Sequence, residues 1–184
     1  GTGKSRLARD VVERALELGL AIELHTHWSA GGSPDEGLRG LVENALGSRG
    51  SHGQDFDSRL GFFVERFPEQ GSAFQDEARV LLRPERDAAP DAGLPLRVAT
   101  DVVVRAACRR PVILRLEDIH WSRGEAAQLI AALAAAKRDF GVCIVATERM
   151  HDAAGDYQRA LEGELLRTLG DVARERGTPP EETA

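Results

Sequence analysis

Apolar residues recur at the spacing of an amphipathic helix at several places along the chain. The first pattern runs over residues 7–16, directly after a glycine-rich start, and Gly19 follows where a helix would end. Similar patterns predict further helices over residues 34–46, 60–67, 73–82, 96–110, 125–136 and 157–169. Two of these helices are expected to begin at capping boxes, Ser33 with Glu36 and Ser122 with Glu125.

Three other stretches have the pattern of strands. They are residues 20–28, 112–117 and 141–149, and the last two are almost continuously apolar. Strands of this kind that alternate with helices are typical of a parallel sheet covered by helices on both faces. The pattern therefore predicts an α/β fold.

The composition is that of an ordinary globular protein, with 42% hydrophobic and 29% charged residues in a chain of 184. The formal net charge of −6 argues against a surface built for nonspecific binding of nucleic acid or anionic membranes. Cys108 and Cys143 lack the spacing of a zinc or redox pair, which is typical of reduced thiols. We therefore expect a cytoplasmic protein, with no direct nucleic-acid binding by this segment and no membrane partner.

The glycine-rich start, GTGKS, matches the second half of a phosphate-binding loop. A complete P-loop reads G-x-x-x-x-G-K-[ST]; its backbone N–H groups surround the phosphates, its lysine reaches the β and γ phosphates, and its hydroxyl holds Mg²⁺. Gly3, Lys4 and Ser5 supply the last three positions. A plain glycine-rich turn or a cloning remnant is the alternative, but neither would require the amphipathic helix that follows at once.

Two acidic residues, Glu117 and Asp118, end the apolar strand 112–117. An acid at this place can hold the water shell of Mg²⁺, and its neighbour can orient or deprotonate a water that attacks a phosphate. Adjacent acids at a strand end are often only a solvated turn, and the G-K-S motif upstream favours the functional interpretation.

Polar residues also follow the third strand. Thr147 and Arg149 lie where parallel strands deliver residues to a ligand crevice. A guanidinium there could contact a γ phosphate, and a surface arginine is an equally good interpretation on spacing alone. His25 and His27 share one face of the first strand, but no third metal ligand is identifiable, so ordinary histidines are favoured.

Taken in order, the stretches GTGKSRLA, PVILRLEDIHW and VATER resemble the AAA-type P-loop ATPase domain of STAND-class NTPases. These domains occur in large bacterial signalling proteins, fused to adenylate cyclases, protein kinases or LuxR-type transcription regulators. The resemblance covers about Gly1 to Met150, and LEDIHW is its most specific stretch. It implies a three-layer P-loop NTPase fold with strand order 5-1-4-3-2, and ATP and Mg²⁺ as cofactors.

Matched position by position, the resemblance implies a role for each site residue. It assigns Mg²⁺ to Ser5 and Glu117, and catalysis to Glu117, Asp118 and Arg149. It assigns nucleotide binding to Gly1, Thr2, Gly3, Lys4, Ser5, Arg6 and Thr147. Two departures stand out, since Glu117 replaces a more usual aspartate and Arg115 interrupts a strand that is usually apolar.

The resemblance also predicts that the chain is a fragment, because the first glycine of the P-loop would precede residue 1. A partial ATPase domain would span residues 1–176, with a helical insertion at about 34–110, and residues 177–184 would be a disordered tail. The three strands would be numbers 2, 3 and 4 of the family's sheet, adjacent as 4-3-2.

The expected function is a slowly hydrolysing ATP switch in a larger signalling or transcription-regulatory protein. Its partners would be ATP and other domains of that protein, such as a cyclase, a kinase, a DNA-binding output or helical repeats. Self-association that depends on nucleotide is a further expectation. Two alternatives stay open: a degenerate interaction scaffold that does not turn over, and an AAA+ motor that remodels macromolecules.

Overall fold

The computed structural model describes residues 4–48, 54–66, 72–84, 91–136 and 141–148. Along these ranges the elements are α1 (Lys4–Glu17), β1 (Ile22–His27), α2 (Gly37–Leu46), α3 (Gln54–Arg66), α4 (Ser72–Leu82), α5 (Leu94–Ala107), β2 (Val112–Glu117), α6 (Glu125–Ala135) and β3 (Val142–Ala146). A short 3₁₀ turn, Ile119–Trp121, follows β2. Helix α1 spans the first predicted helical pattern, and the strands lie within the three predicted stretches.

The three strands form one parallel sheet with β2 in the centre. Leu114 of β2 lies opposite Leu24 of β1 on one side and Ile144 of β3 on the other. The predicted α/β class and the predicted adjacency of the strands are therefore confirmed.

One face of the sheet carries the hydrophobic core. Val112, Leu114 and Leu116 of β2 are at most 1% exposed. Helices α2, α5 and α6 contact one another and share this core with the sheet. Both crossovers, β1 to β2 and β2 to β3, run in the same direction across the sheet, so right-handed connections put their helices on the same side.

The opposite face of the sheet is more polar. Glu23 and His25 of β1 lie beside Ile113 and Arg115 of β2 on this face. Helix α1 contacts β1 and buries Val12, which lies outside the main core. Two apolar residues of α1, Leu7 and Val11, are exposed, as is Leu18 directly after the helix.

The glycines after α1 and α2 end these helices as predicted. Gly19 has φ +65 and Gly47 has φ +61, a left-handed conformation that glycine adopts without the Cβ penalty. The N–H of Gly19 donates to the carbonyl of Leu16 at 2.9 Å, and the N–H of Gly47 donates to that of Asn44 at 3.0 Å.

Both predicted capping boxes are wrong. Helix α2 begins at Gly37, three residues after the predicted start, and Glu36 at its N-cap makes no side-chain cap hydrogen bond. Helix α6 begins at Glu125 after Gly124, and Ser122 Oγ is buried without a hydrogen-bond partner in the described structure. Glu36 instead accepts a hydrogen bond from Ser29, and Glu125 accepts one from Trp28. The spacing within the capping-box pattern gives no sign of these partners.

Several predictions fall outside the described residues. They concern Gly1, Thr2, Gly3 and Arg149, the helix at 157–169 and the tail at 177–184. In the ranges given above, none of the helices is long and apolar enough to cross a bilayer.

Candidate functional site at the carboxyl ends of the strands

The three strands end together at one edge of the sheet, and main-chain hydrogen bonds hold the residues that follow them. The N–H of Trp28, after β1, donates to the carbonyl of Glu117 at 3.1 Å. The N–H of Thr147, after β3, donates to the carbonyl of Leu116 at 2.9 Å. These bonds extend the ladder past the strand ends, so side chains from three separate parts of the sequence are fixed beside one another.

Asp118 and Thr147, both predicted site residues, meet at this edge. The N–H of Asp118 donates to Thr147 Oγ1 at 3.3 Å, and the N–H of Ile119 donates to the carbonyl of Thr147 at 3.1 Å. Asp118 has φ +55, in the left-handed region that costs a non-glycine residue free energy. Strain of this kind persists where the surroundings impose it, and it concentrates at functional sites.

The segment after Asp118 turns tightly. Arg123 and Gly124 also have positive φ, of 50° and 93°, and the 3₁₀ turn lies between them and Asp118. His120 and Trp121 have ring centroids 5.0 Å apart, and Trp121 is 43% exposed. The turn forms one wall of a cleft of about 390 Å³, whose other wall is the loop that follows β1.

The loop after β1 is held by Glu36. Its carboxylate accepts hydrogen bonds from the Ser29 hydroxyl at 2.8 Å and from the Ser29 N–H at 3.1 Å. His27 Nε2 lies 3.5 Å from the same carboxylate. Glu36 is therefore used to close this loop rather than to cap α2.

Glu125 joins the loop after β1 to the start of α6. The indole N–H of Trp28 donates to Glu125 Oε2 at 2.9 Å, across 97 positions of sequence. Gly37 makes room for this pair, because a Cβ there would lie 2.9 Å from both atoms. The bond fixes two walls of the cleft relative to each other.

Arg115 lies between two carboxylates on the polar face of the sheet. Its Nε donates to Glu23 Oε1 at 2.6 Å, and its Nη1 donates to Glu117 Oε1. Burial lowers the pKa of Arg115, but the hydrogen bond to Glu23 and the charges of both glutamates outweigh burial, so the net pKa is raised. The guanidinium is a permanent positive charge beside a predicted Mg²⁺ ligand.

His25 is the register neighbour of Arg115. Partial burial lowers the pKa of His25 below its ordinary value of 6.5, and the positive charge of Arg115 lowers it further. Glu23 and Glu117 oppose this shift without cancelling it. The folded protein therefore resists protonation of this imidazole.

We expect the free energy of unfolding to fall as the pH drops through about 6.5, since unfolded His25 binds a proton that folded His25 resists. The stabilising contribution of neutral His25 is complete above about pH 6.5, and it is lost as the pH falls toward the lower pKa of His25 in the folded protein. Urea denaturation of the wild type and of His25→Gln at about pH 7.5 and pH 5.5 measures it. The variant should lose less stability over this interval, and an equal loss would contradict the shift.

The side chains at the strand ends fit Mg²⁺ by their donor chemistry. Glu117 and Asp118 offer the hard carboxylate oxygens that this ion prefers, although Arg115 engages one oxygen of Glu117. In the part of the chain that the structure describes, no cluster of three or more His, Cys, Asp or Glu residues could hold a metal ion. Mg²⁺ at phosphate sites needs only one or two carboxylates, because water and phosphate supply the rest.

A larger cavity, of about 650 Å³, lies away from the strand ends. It is lined mainly by apolar side chains, among them Ile22, Leu46, Phe62 and Phe63, with Arg59 and Arg66 at its margin. Neither Glu117 nor Asp118 reaches it. Size alone would select this cavity, whereas the smaller cleft has polar lining residues such as Ser29, Glu36 and Glu125. Glu117 and Asp118 are not among the lining residues of the smaller cleft either.

The structure relates only some of the predicted site residues to one another. Glu117, Asp118 and Thr147 lie together, and Arg6 is exposed on α1. Lys4 and Ser5 begin α1, and their side chains lie outside the described part of the chain. The link between Arg115 and Glu117 was not predicted, although positions two apart on a strand share a face and their opposite charges were a signal for it.

Compared with known proteins, the chain matches no protein-family model, no curated protein and no solved structure. The functional assignment therefore depends on the residues themselves.

Proposed function

We propose that this chain is part of a P-loop ATPase domain that binds ATP with Mg²⁺ and hydrolyses it slowly, as a nucleotide switch in a larger cytoplasmic signalling protein. The observation that carries the proposal is the contact between Asp118 and Thr147. It joins the acidic end of the central strand to the polar end of its neighbour, which is where a doubly wound sheet binds its ligand.

The topology supports the same proposal. Strand β2 ends in two acids and lies between β1 and β3, as in the 4-3-2 part of the sheet that the resemblance implies. Helix α1 begins at Lys4, directly after the glycines of GTGKS, so the last residues of the motif open a helix as a P-loop requires. A helix N-terminus attracts anions because its first N–H groups have no partners within the helix.

Each predicted site residue would have one role in binding or hydrolysing the nucleotide. Mg²⁺, when bound, would neutralise charge on the phosphates. Lys4 would contact the β and γ phosphates, Ser5 and Glu117 would hold the cation, and Asp118 would orient or deprotonate the attacking water. Thr147 would keep Asp118 in its left-handed conformation through the hydrogen bond to the N–H.

One observation favours the second candidate, a scaffold that keeps the fold without turnover. Arg115 pairs with Glu117, so a carboxylate that Mg²⁺ would need already has a cationic partner. A metal ion can displace Arg115 from Glu117, because the carboxylate that would bind the ion is present. A chain without that carboxylate could not bind the ion there. We therefore retain the switch as the better-supported function.

Calorimetry of ATP·Mg²⁺ binding tests the proposal. The 184-residue chain and a longer polypeptide that completes the eight-residue loop should both be measured, because half a loop offers fewer N–H donors. In the longer polypeptide, Lys4→Ala should weaken binding by at least about tenfold, or about 1.4 kcal/mol. Arg9→Ala is the matched control, since it removes an exposed positive charge from the same helix, and it should leave the affinity unchanged.

Two results would overturn the nucleotide assignment: absence of ATP binding in the polypeptide with the complete loop, or equal affinity in the wild type and Lys4→Ala. Binding with little turnover would favour the switch, and absence of both binding and turnover would favour the scaffold. Rapid turnover coupled to ring assembly would favour the motor.

A further inference from the structure

Arg115 is an unusual residue for its position. It lies in the central strand of the sheet, and its neighbours on the same face include apolar residues: Ile113, two positions earlier in β2, and Val145, its register partner in β3. Its side chain is only 12% exposed, yet it carries a full charge. A charge buried to this extent is tolerated when it is paired, and here Glu23 and Glu117 supply the partners.

The two partners of Arg115 have different tasks. Glu23 projects from β1, at 2.6 Å from Arg115 Nε, and belongs to no predicted ligand site. Glu117 lies two residues after Arg115 on the same face of β2, at the strand end where we place the cation. Because a guanidinium has several donors in a rigid fork, it can bind both carboxylates at once.

A divalent cation that binds Glu117 must compete with this guanidinium. The two positive charges would share one carboxylate, and like charges at such short range repel strongly where solvent is partly excluded. The cation therefore binds well only if Glu117 turns away from Arg115. Glu23 makes that exchange feasible, because Arg115 keeps one buried partner when it loses the other.

We propose that Arg115 is a positioning residue that lowers the divalent-cation affinity of the β2 end, by holding Glu117 against the sheet until Glu117 exchanges the guanidinium for the ion. This inference rests on the proposed function, which assigns Glu117 to the cation. It adds a regulatory consequence: the site is weak for the free ion and fills only when further ligands, such as the phosphates of a nucleotide, contribute.

Manganese binding to the 184-residue chain without nucleotide tests the inference. Electron paramagnetic resonance counts free Mn²⁺ directly and needs no enzymatic activity. Arg115→Met keeps the side-chain length and removes the charge, and we expect it to bind Mn²⁺ at least about fivefold more tightly than the wild type. Adding Glu117→Gln to Arg115→Met should remove the gain, which ties the gain to that carboxylate.

Arg110→Met is the matched control for net charge. Arg110 is an exposed arginine that precedes β2, at the end of the strand opposite Glu117, and its removal changes the overall charge by the same amount. The affinity of Arg110→Met should stay near that of the wild type. Arg115→Lys, which keeps the charge but loses the fork, should lie between the wild type and Arg115→Met.

In Arg115→Met, Glu23 and Glu117 lose the cation between them, and their repulsion could disturb folding. The variant Glu23→Gln/Arg115→Met controls for this, because it removes one of the two carboxylates together with the guanidinium. It should also bind Mn²⁺ more tightly than Glu23→Gln alone. The inference is overturned if Arg115→Met and this double variant gain no affinity, or if Arg110→Met gains as much.

The outcome can be separated from that of the nucleotide assignment. A gain in Mn²⁺ affinity that depends on Glu117, in a protein that does not bind ATP, would uphold the role of Arg115 and refute the ATPase proposal. ATP binding that depends on Lys4, together with unchanged Mn²⁺ affinity in Arg115→Met, would do the reverse.

Discussion

Gly40→Ala should destabilise the protein by about 3 kcal/mol, although alanine is the better helix former. A Cβ on Gly40 would lie 2.2 Å from the carbonyl oxygen of Asp35 and 2.7 Å from its carbon, both main-chain atoms that cannot turn aside. Forcing atoms into a packed site usually costs about 1–3 kcal/mol, and an overlap this severe belongs at the upper end. Urea denaturation of both proteins at pH 7 measures the difference.

The position of Gly40 makes this prediction informative about the site. Helix α2 crosses close to the end of β1, where Thr26 Oγ1 donates to the carbonyl of Gly37 at 2.8 Å. The loop that carries Ser29 and Glu36 lies between these two elements. Displacing α2 from Asp35 would therefore loosen one wall of the cleft as well as the core.

Gly61→Ala is the matched control. Gly61 lies inside α3, and among the described residues no atom outside its own helix is within 4 Å of where its Cβ would be. Helix propensity alone should act there, so we expect a gain of up to about 1 kcal/mol. A stabilising effect at both glycines would show that α2 does not approach Asp35 as closely as described.

The sequence predicted most of the regular elements because their signals are local and repeated, although α3 begins at Gln54, well before the predicted pattern at 60–67. Strand β2 is apolar except for Arg115 and Glu117, and the first helical pattern is followed by Gly19, which has positive φ. The order of the three strands was also predicted correctly. It came from the family resemblance, which is carried by short motifs at the strand ends. One charged residue, Arg115, does not hide the apolar pattern of the strand, because the other positions repeat it.

The capping boxes failed for a physical reason. A serine and a glutamate three residues apart can cap a helix only if neither has a stronger partner. Glu36 binds Ser29, and Glu125 accepts a hydrogen bond from Trp28 that is 97 positions away. Nothing in the local pattern distinguishes a glutamate that caps from one that is recruited by another part of the fold.

The convergence of the strand ends was predicted, whereas the ion pairs at the end of β2 were not. Strand ends of a parallel sheet converge, so Glu117, Asp118 and Thr147 were expected together, and the described contacts bring them together. The spacing of Arg115 and Glu117 on one strand was a signal for their pairing, whereas the second partner, Glu23 of the neighbouring strand, is hidden by sequence separation. Charge compensation of this kind follows from the register of the sheet, and the register follows only from the whole fold.

Leu114→Ala should cost about 2–5 kcal/mol, the range for deleting a buried leucine side chain whose cavity cannot close. Leu114 is 0% exposed in the central strand and pairs laterally with Leu24 and Ile144. The same strand ends at Glu117, directly before Asp118, so loss of packing at Leu114 should also increase hydrogen exchange at the N–H of Asp118. Denaturation and exchange measurements on the same variant test both effects.

The same substitution at Leu7 provides the comparison. Leu7 is 67% exposed on α1, in a row with Val11, so Leu7→Ala should change the stability of this chain by less than about 0.5 kcal/mol. A cost at Leu7 as large as at Leu114 would mean that α1 buries this row against another surface, such as a second copy of the chain. In that case the cost should depend on protein concentration, because dissociation would accompany unfolding. A concentration-independent difference between Leu114 and Leu7 would confirm that the core lies on the α2, α5 and α6 side of the sheet.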